Sequence, residues 1–514
     1  MFIAAQIASQ SLVTAGWVLI SLYAVTILFF VVRAANKTTS IQDYALGSIA
    51  FSPITVGLSL AASITSAATF IINPGFVAVY GISGVISMGL ALPIAAITSL
   101  VVLTKGFRKH GSTVKAQTMA QWMQSRYNSA TFGRFFGILS LLMITFLVLI
   151  AVGLTKVLSS TLNISEFYAL CGIVVFVFGY MMFGGANSMV YTNTIQAVLM
   201  LMVAIVLLSS GYEHFSEGVH GFMGKLAAID PKLATSTNTD SFLFRDFYEI
   251  IFCQVIVGIA IICQPHILTK SLLLKKESDV NTYLWVGGSV QLLFFLVVIT
   301  GLYIRISFPD MQIDGSPIPL DGLVSAYVVK EFPVYIGLVV VMGLISAGLS
   351  TLEGLIQSLS TTISQDLLKP LASRFNLKDI FEIRAIFINR VVIVALAVVT
   401  ILISWNQLIS PKLSVGIFAQ NGVYAYFSAA FVPIFFGMFF KKTSLKAVFA
   451  SAITAVLVHF SMYYGQLSIP FTKATGENPG VAASTAILAS IVVVVTVSLV
   501  FDKKVLPETR GAKL

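Results

Sequence analysis

Charge is what this chain has least of. Only 10% of its 514 residues are Asp, Glu, Lys or Arg, against roughly 25% in an ordinary soluble domain. With 57% hydrophobic residues and a mean hydropathy of +0.94, that deficit excludes a soluble globular protein. A soluble chain with one anchor is excluded as well, because apolar runs of about 20 residues recur from end to end. Cysteine is scarce too. Cys171, Cys253 and Cys263 all fall in apolar surroundings, give no disulfide framework, and read as packing residues. The histidines lack metal-ligand spacing. His110, His214 and His220 fall in loops, His459 is isolated on a peripheral span, and His266 reads as a capping or packing residue near the cytoplasmic end of a span. There is no Gly-rich phosphate loop, nucleophile elbow or Cys/His cluster, so the chain does not read as an enzyme. No small-residue cleavage site follows the first apolar run, near Leu12 to Val32, so that run is a span and not a signal peptide.

What the chain does have is about 13 membrane spans. They lie near 11–33, 52–79, 83–105, 133–159, 166–184, 188–211, 247–269, 281–306, 334–365, 385–405, 412–440, 444–465 and 482–501. The largest loops, 212–246 and 307–333, are too short for a soluble domain. A net charge of +10 could suggest nucleic acid, but the basic residues sit in short loops and set topology instead. They run from Arg33 and Lys37 through Lys270, Lys441, Lys442 and Lys446 to Lys503, Lys504, Arg510 and Lys513. With the N-terminus outside, roughly 23 basic residues fall inside and about 8 outside, the asymmetry of a positive-inside protein. The outer loops then carry Glu213, Glu217, Asp230, Asp240, Asp310, Asp314 and Asp321. The expected location is the plasma (bacterial inner) membrane with a cytoplasmic C-terminus. The bilayer is the expected partner, with no nucleic acid and no obligate protein partner evident.

Irregular helices mark the centre. The second span reads SLAASITSAATFIINPGF over 59–76, dense in Ser, Thr and Ala before an Asn73-Pro74-Gly75 breaker. The seventh carries Cys263-Gln264-Pro265-His266. Broken helices are tolerated at membrane depth only where they face protein or a water-filled cavity, and their freed backbone groups commonly hold transported ions and solutes. In the ninth span, SAGLSTLEG at 346–354 places two hydroxyls, Ser350 and Thr351, just before Glu353. Glu353 is the only carboxylate expected well inside the apolar region, where it costs at least a few kcal/mol and needs a partner or a job. Ser346, Ser350, Glu353, Gln357, Ser360 and Ser364 recur at steps of three or four, a polar stripe that reads as the lining of a cation path or site. A Ser-Thr pair alone more often aids helix packing or back-bonds to the preceding turn; the stripe and the broken second span turn the balance toward a cation.

These stretches resemble the sodium:solute symporter family. The resemblance is carried by SLAASITSAATF at 59–70, GANSMVYTNTIQ at 185–196, CQPHILTK at 263–270 and AGLSTLEGLIQSLSTTISQDLLK at 347–369, with the basic loop before QTMAQWMQSRY at 117–127. It implies an all-α integral membrane fold with a LeuT-like inverted-repeat core of five plus five helices. That core would span 52–440, with one extra span (11–33) before it and two (444–501) after. It implies alternating access with sodium as the co-transported ion and a small organic solute as partner. The implied sodium ligands are backbone oxygens of Ala62, Thr65 and Ala347 and the hydroxyls of Ser350 and Thr351. Ser66 and Thr69 are the implied solute contacts, with Asn421 and Tyr424 as gate or solute contacts, while Gln264 of the Gln-Pro-His motif is implied to be a structural or gating residue.

Two departures bear on coupling. Many relatives carry an aspartate in the sixth span where this chain has Asn193, and hydroxyls where it has Glu353 and Gly354. Glu353 facing Asn193 is therefore expected to form a second cation site or a protonatable coupling group. The alternative is a buried structural glutamate held by Asn193 or Thr194. Proline-transporting relatives carry an aspartate where this chain has Ile64, which argues against proline. No Lys or Arg is expected well inside a core span. A small monocarboxylate or zwitterionic amino acid then suits the site better than a sugar, which needs many convergent hydrogen bonds. The rival readings are a proton-coupled symporter of the same fold and a transporter-like membrane receptor. With only about 13 residues after the last span, a receptor would need a separate signalling partner.

Overall fold

The computed structural model describes residues 9–313, 315–410, 414–440 and 443–501. Asp314, Lys441, Lys442, Lys503, Lys504, Arg510 and Lys513, counted above among the loop charges, lie outside the described residues. Ten helices are long and apolar enough to cross a membrane, and two bent helix pairs bring the number to twelve. One of the ten, Glu166–Ser209, is two helices that meet at Gly185. Unbroken, its 44 residues would stretch about 66 Å, twice the hydrocarbon thickness. Divided there, it adds one span to the twelve, and the spans are numbered one to thirteen accordingly.

In chain order the spans are Gln10–Ala35; the bent pair Pro53–Ile64 and Ala68–Tyr80; Ile82–Thr113; Ala130–Leu162; the two parts of Glu166–Ser209; the bent pair Tyr248–Ile261 and Pro265–Leu273; Glu277–Ser307; Val334–Thr362; Ala385–Ile409; Val415–Phe439; Leu445–Gly465; and Pro479–Phe501. The two larger loops carry the short helices Gly218–Ile229 and Leu323–Glu331, with a two-residue hairpin, Gln312–Ile313 against Ser316–Pro317. Burial sorts the spans into layers. In the ninth and eleventh, 78% of the most apolar window is buried within the protein, against 17% in the first and 28% in the tenth. The first and tenth therefore offer most of their surface to lipid, and the ninth runs through the middle.

The second and seventh spans bend by 56° and 54°, two similar breaks five spans apart. The second opens beside Ala62 and Thr65, where it was expected to unwind, and not at Asn73-Pro74-Gly75. Its first half ends at Ile64, Thr65 is extended (φ −86°, ψ 117°), and the Ser66 hydroxyl restarts the chain by accepting from the Ala68 amide at 3.1 Å. Short hydroxyl side chains that compete for backbone groups are what opens the helix here. Asn73-Pro74-Gly75, expected to be the breaker, lies inside the second half. The turn before it, Ala68–Ile72, is a π-helix, a bulge that accommodates the N–H missing at Pro74. Gly75 instead serves packing: a Cβ there would lie 2.7 Å from the Leu320 carbonyl oxygen.

Gly185 is another position that needs glycine. Its φ is +57°, and a Cβ would meet Tyr44 Cδ2 at 2.6 Å and the Tyr44 carbonyl oxygen at 2.8 Å. We expect Gly185→Ala to cost more than about 1 kcal/mol from the left-handed backbone alone, with the clash added. A thermal or denaturant melt of the purified protein that matched wild type would refute the need for that turn.

Candidate functional site

Where the second span opens, its carbonyls turn toward the ninth. Ser350 Oγ donates to the Ala62 carbonyl at 2.8 Å and lies 3.1 Å from that of Ala347. Thr351 Oγ1 is 3.0 Å from the Thr65 carbonyl, 3.3 Å from that of Ser63 and 3.4 Å from that of Ala347. All five residues of the expected ligand set are fully buried. Two hydroxyls and the carbonyls of two helices thus converge on one small volume, a donor set of hard oxygens suited to a small cation. The two hydroxyls supply only two protons for at least four lone-pair-bearing oxygens, so the cluster is rich in acceptors.

Next to it lies a second cluster. Glu353 is fully buried and accepts from Tyr180 Oη at 2.5 Å, from Gln196 Nε2 at 3.1 Å and from Thr192 Oγ1. Asn193 supplies a fourth donor. Its neighbours set its amide orientation, because the carboxylate can only accept and an ammonium can only donate. Its nitrogen accordingly faces Glu353 Oε2 at 3.1 Å and Gln196 Oε1 at 2.9 Å, and its oxygen faces Ser63 Oγ and Lys270 Nζ, both at 2.9 Å. Glu353 does face Asn193, as expected. Four donors match the lone pairs of an ionised carboxylate.

The lysine is a correction. Lys270 was expected among the loop charges, with no Lys or Arg inside a core span, yet it is only 2% exposed. The short second half of the seventh span ends in a 3-10 turn, Thr269–Leu273, which swings the side chain back along the second span. There its ammonium donates to the Ser59 carbonyl at 2.8 Å and to Ser63 Oγ. Glu353 is also not the only buried carboxylate. Glu249 is fully buried and ion-paired with Arg245 at 2.7 Å, and Asp366 accepts from Thr118 at 2.6 Å and Gln121 at 3.1 Å. The polar stripe of the ninth span is sealed by protein rather than lining an open path. Ser346 meets Tyr23, Gln357 donates to the Ala45 carbonyl, and Ser364 donates to Asn389.

A cavity of about 780 Å³ of atom-free space, part of it open to solvent, borders the break on its other side. Ser66, Thr69, Gln264 and Tyr424 line it, among apolar walls that include Ile64, Phe146 and Phe295. Asn421, expected beside Tyr424, is turned away: its side chain bonds His459 Nε2 at 3.0 Å and Tyr464 Oη at 3.3 Å. His459 is thus fully buried against the eleventh span rather than isolated. Gln264, expected to be structural or gating, lines the cavity with its Oε1 unpartnered while its Nε2 donates to the Ile261 carbonyl at the helix break. His266 also lines it, buried, with Nδ1 unpartnered and its ring edge-on to Phe146. Its motif was visible in sequence, but not that the break at Pro265 would aim the imidazole inward.

A model of the sodium:solute symporter family matches residues 44–455. The chain belongs to that family. It is a sodium-coupled symporter, a multi-pass membrane transporter and not an enzyme. Among relatives of this symporter, the sodium/pantothenate symporter of Escherichia coli K12 is 24% identical, covering 85% of this chain and 88% of that one. The high-affinity proline transporter of Bacillus subtilis is 22% identical over 82% and 86%, and the mouse sodium/myo-inositol cotransporter 2 is 23% identical over 84% and 66%. The fold matches a solved Na+-coupled sialic acid symporter in a substrate-bound outward-open state, with a TM-score of 0.75 at 15% identity over 95% of this chain and 97% of that one. The manganese transporter of Eremococcus coleocola aligns with a TM-score of 0.51 at 14% identity over 90% and 98%. The symporter thus has the LeuT-type architecture expected of its family.

Removing one donor from Glu353 leaves a buried carboxylate less well solvated. We expect Tyr180→Phe to destabilise the symporter by about 1.5–3 kcal/mol, the range for a hydrogen bond to a charged group. A melting curve unchanged by the substitution would show that the phenol does not carry that load.

Proposed function

We propose that this symporter drives uptake of a small monocarboxylate or zwitterionic amino acid with sodium bound at the break of the second span. The sodium ligands are the carbonyl oxygens of Ala62, Thr65 and Ala347 and the hydroxyls of Ser350 and Thr351. The observation that carries this is their convergence: Ser350 and Thr351 lie 2.8 and 3.0 Å from the Ala62 and Thr65 carbonyls. Sodium takes the place of the hydroxyl protons among these oxygens, and each hydroxyl turns a lone pair to the ion.

The solute sits beside the ion, against Ser66, Thr69 and Tyr424, with Gln264 and His266 as further contacts. No Lys or Arg lines the cavity, so a carboxylate is met by hydroxyls and by the adjacent sodium. Pantothenate and proline, named for two relatives, both carry a carboxylate; the apolar walls suit a short carbon skeleton and supply few of the contacts a polyol needs. Ion and solute meet at neighbouring residues, Thr65 and Ser66, so each stabilises the geometry the other binds. That coupling is reciprocal by linkage. One sodium moving down roughly 100 mV and a tenfold gradient releases about 3.7 kcal/mol, enough to concentrate a neutral solute a few hundred-fold. Alternating access is the work of the ten-helix core, 52–440, and the loop charges support an external N-terminus with a cytoplasmic C-terminus.

Sodium-driven uptake in proteoliposomes tests this reading with a panel of pantothenate, short monocarboxylates, neutral amino acids and myo-inositol. We expect accumulation of a carboxylate solute above its external concentration only under an inward sodium gradient, and none of inositol. Binding without sodium-driven accumulation would instead favour a receptor. Thr351→Ala is expected to raise the sodium concentration for half-maximal uptake by about tenfold or more, the equivalent of roughly 1.4 kcal/mol. An unchanged sodium dependence would remove Thr351 from the ligand set.

A further inference from the structure

The second cluster has the makings of a cation site, and its cation is already there. Three oxygens converge between the second and sixth spans: the Ser59 carbonyl, Ser63 Oγ and the Asn193 amide oxygen. Each accepts from the ammonium of Lys270, so all three of its donors are used. Across the Asn193 amide stands Glu353, held by Tyr180, Thr192 and Gln196. The amide joins the two charges, accepting from the ammonium and donating to the carboxylate. The cluster is therefore electrically balanced and nearly saturated with hydrogen bonds, with Lys270 and Glu353 2% and 0% exposed. A free cation cannot enter without displacing the ammonium, and the ammonium cannot leave without stranding a carboxylate at bilayer depth.

We propose that Lys270 is a tethered cation that permanently fills a second cation position, balanced by Glu353, and so restricts this symporter to the sodium at Ser350 and Thr351. The proposal deepens the reading given above and rests on it for the first ion. It also assigns Glu353 a role: counter-charge to the protein's own ammonium rather than ligand of a transported ion. Removing the ammonium would leave a hard-oxygen pocket beside an unbalanced carboxylate, the composition that attracts a small cation.

The test uses the full-length protein in nanodiscs, with sodium chloride titrated against choline chloride at constant ionic strength and thermal unfolding as the readout. Wild type is expected to gain stability with an apparent Hill coefficient of about 1. Lys270→Ala is expected to melt lower than wild type in choline, to recover with sodium, and to move the coefficient toward about 2. Lys270→Ala combined with Thr351→Ala should respond to sodium at concentrations too low to stabilise Thr351→Ala alone. Lys270→Ala combined with Glu353→Gln should melt higher in choline than either single variant and lose the added response. The proposal is overturned if Lys270→Ala responds to sodium as wild type does, or if the double neutral variant is no more stable than the singles. The second comparison decides the matter even where Lys270→Ala alone does not fold. A wild type indifferent to sodium would instead count against the site at Ser350 and Thr351, and the response gained on removing Lys270 could still be read.

Discussion

The centre of this molecule depends on carbonyls that a helix gives up. Where the second span stops at Ile64, backbone oxygens that would each have accepted from an amide four residues on are left at a depth where water cannot repair the loss. The ninth span repairs it with two hydroxyls, Ser350 against Ala62 and Thr351 against Thr65. Other features of the core follow from that contact. The ninth span has to run through the middle to reach the break, which is why it is buried almost without interruption from Val340 to Thr362. Its other polar residues then have to be satisfied by neighbours, as Gln357 is by the Ala45 carbonyl.

The buried carboxylates Glu249, Asp366 and Glu353 are each answered by neighbours. Glu249 is answered by Arg245 four residues away, and Asp366 by the hydroxyl and amide of a helix far off in sequence. Glu353 has the most elaborate arrangement, with four donors and a lysine one amide away. Pairing of this kind adds little net stability over an apolar core, because desolvating two charges offsets most of their attraction. Its effect is to fix which helices touch. The sixth, seventh and ninth spans contribute Asn193, Lys270 and Glu353, and the second contributes Ser59 and Ser63, so none of them can slip by a residue without unpairing a charge.

Much of this was legible in the residues. Apolar periodicity located the spans, and the Ser-Thr pair with the broken second helix pointed to the convergence of hard oxygens. What escaped was the direction in which particular side chains leave the backbone. Proline and glycine in Asn73-Pro74-Gly75 signal a break, but a π turn upstream absorbed it; the helix opened at Thr65, as expected, and not there as well. Lys270 follows an apolar run and looks like an interfacial charge; only the bend at Pro265 and the tight turn after it return it to the interior. Asn421 and Tyr424 sit three apart on the eleventh span and share a face in principle, yet His459 on the next helix draws Asn421 outward. For Lys270 and Asn421 the deciding partner is distant in sequence, which local pattern cannot supply.

The oxygens proposed as sodium ligands come from two separate helices, Ala62 and Thr65 from one and Ala347, Ser350 and Thr351 from the other. An ion with fixed bond lengths placed between them acts as a gauge of helix spacing. It is held only while the two helices stand at one separation, and a displacement of about an ångström, small on the scale of domain motion, is enough to strip it of half its ligands. On the proposed ligand set, the ion's residence would report the posture of the whole bundle, and the site would work as a latch that opens when the helices part.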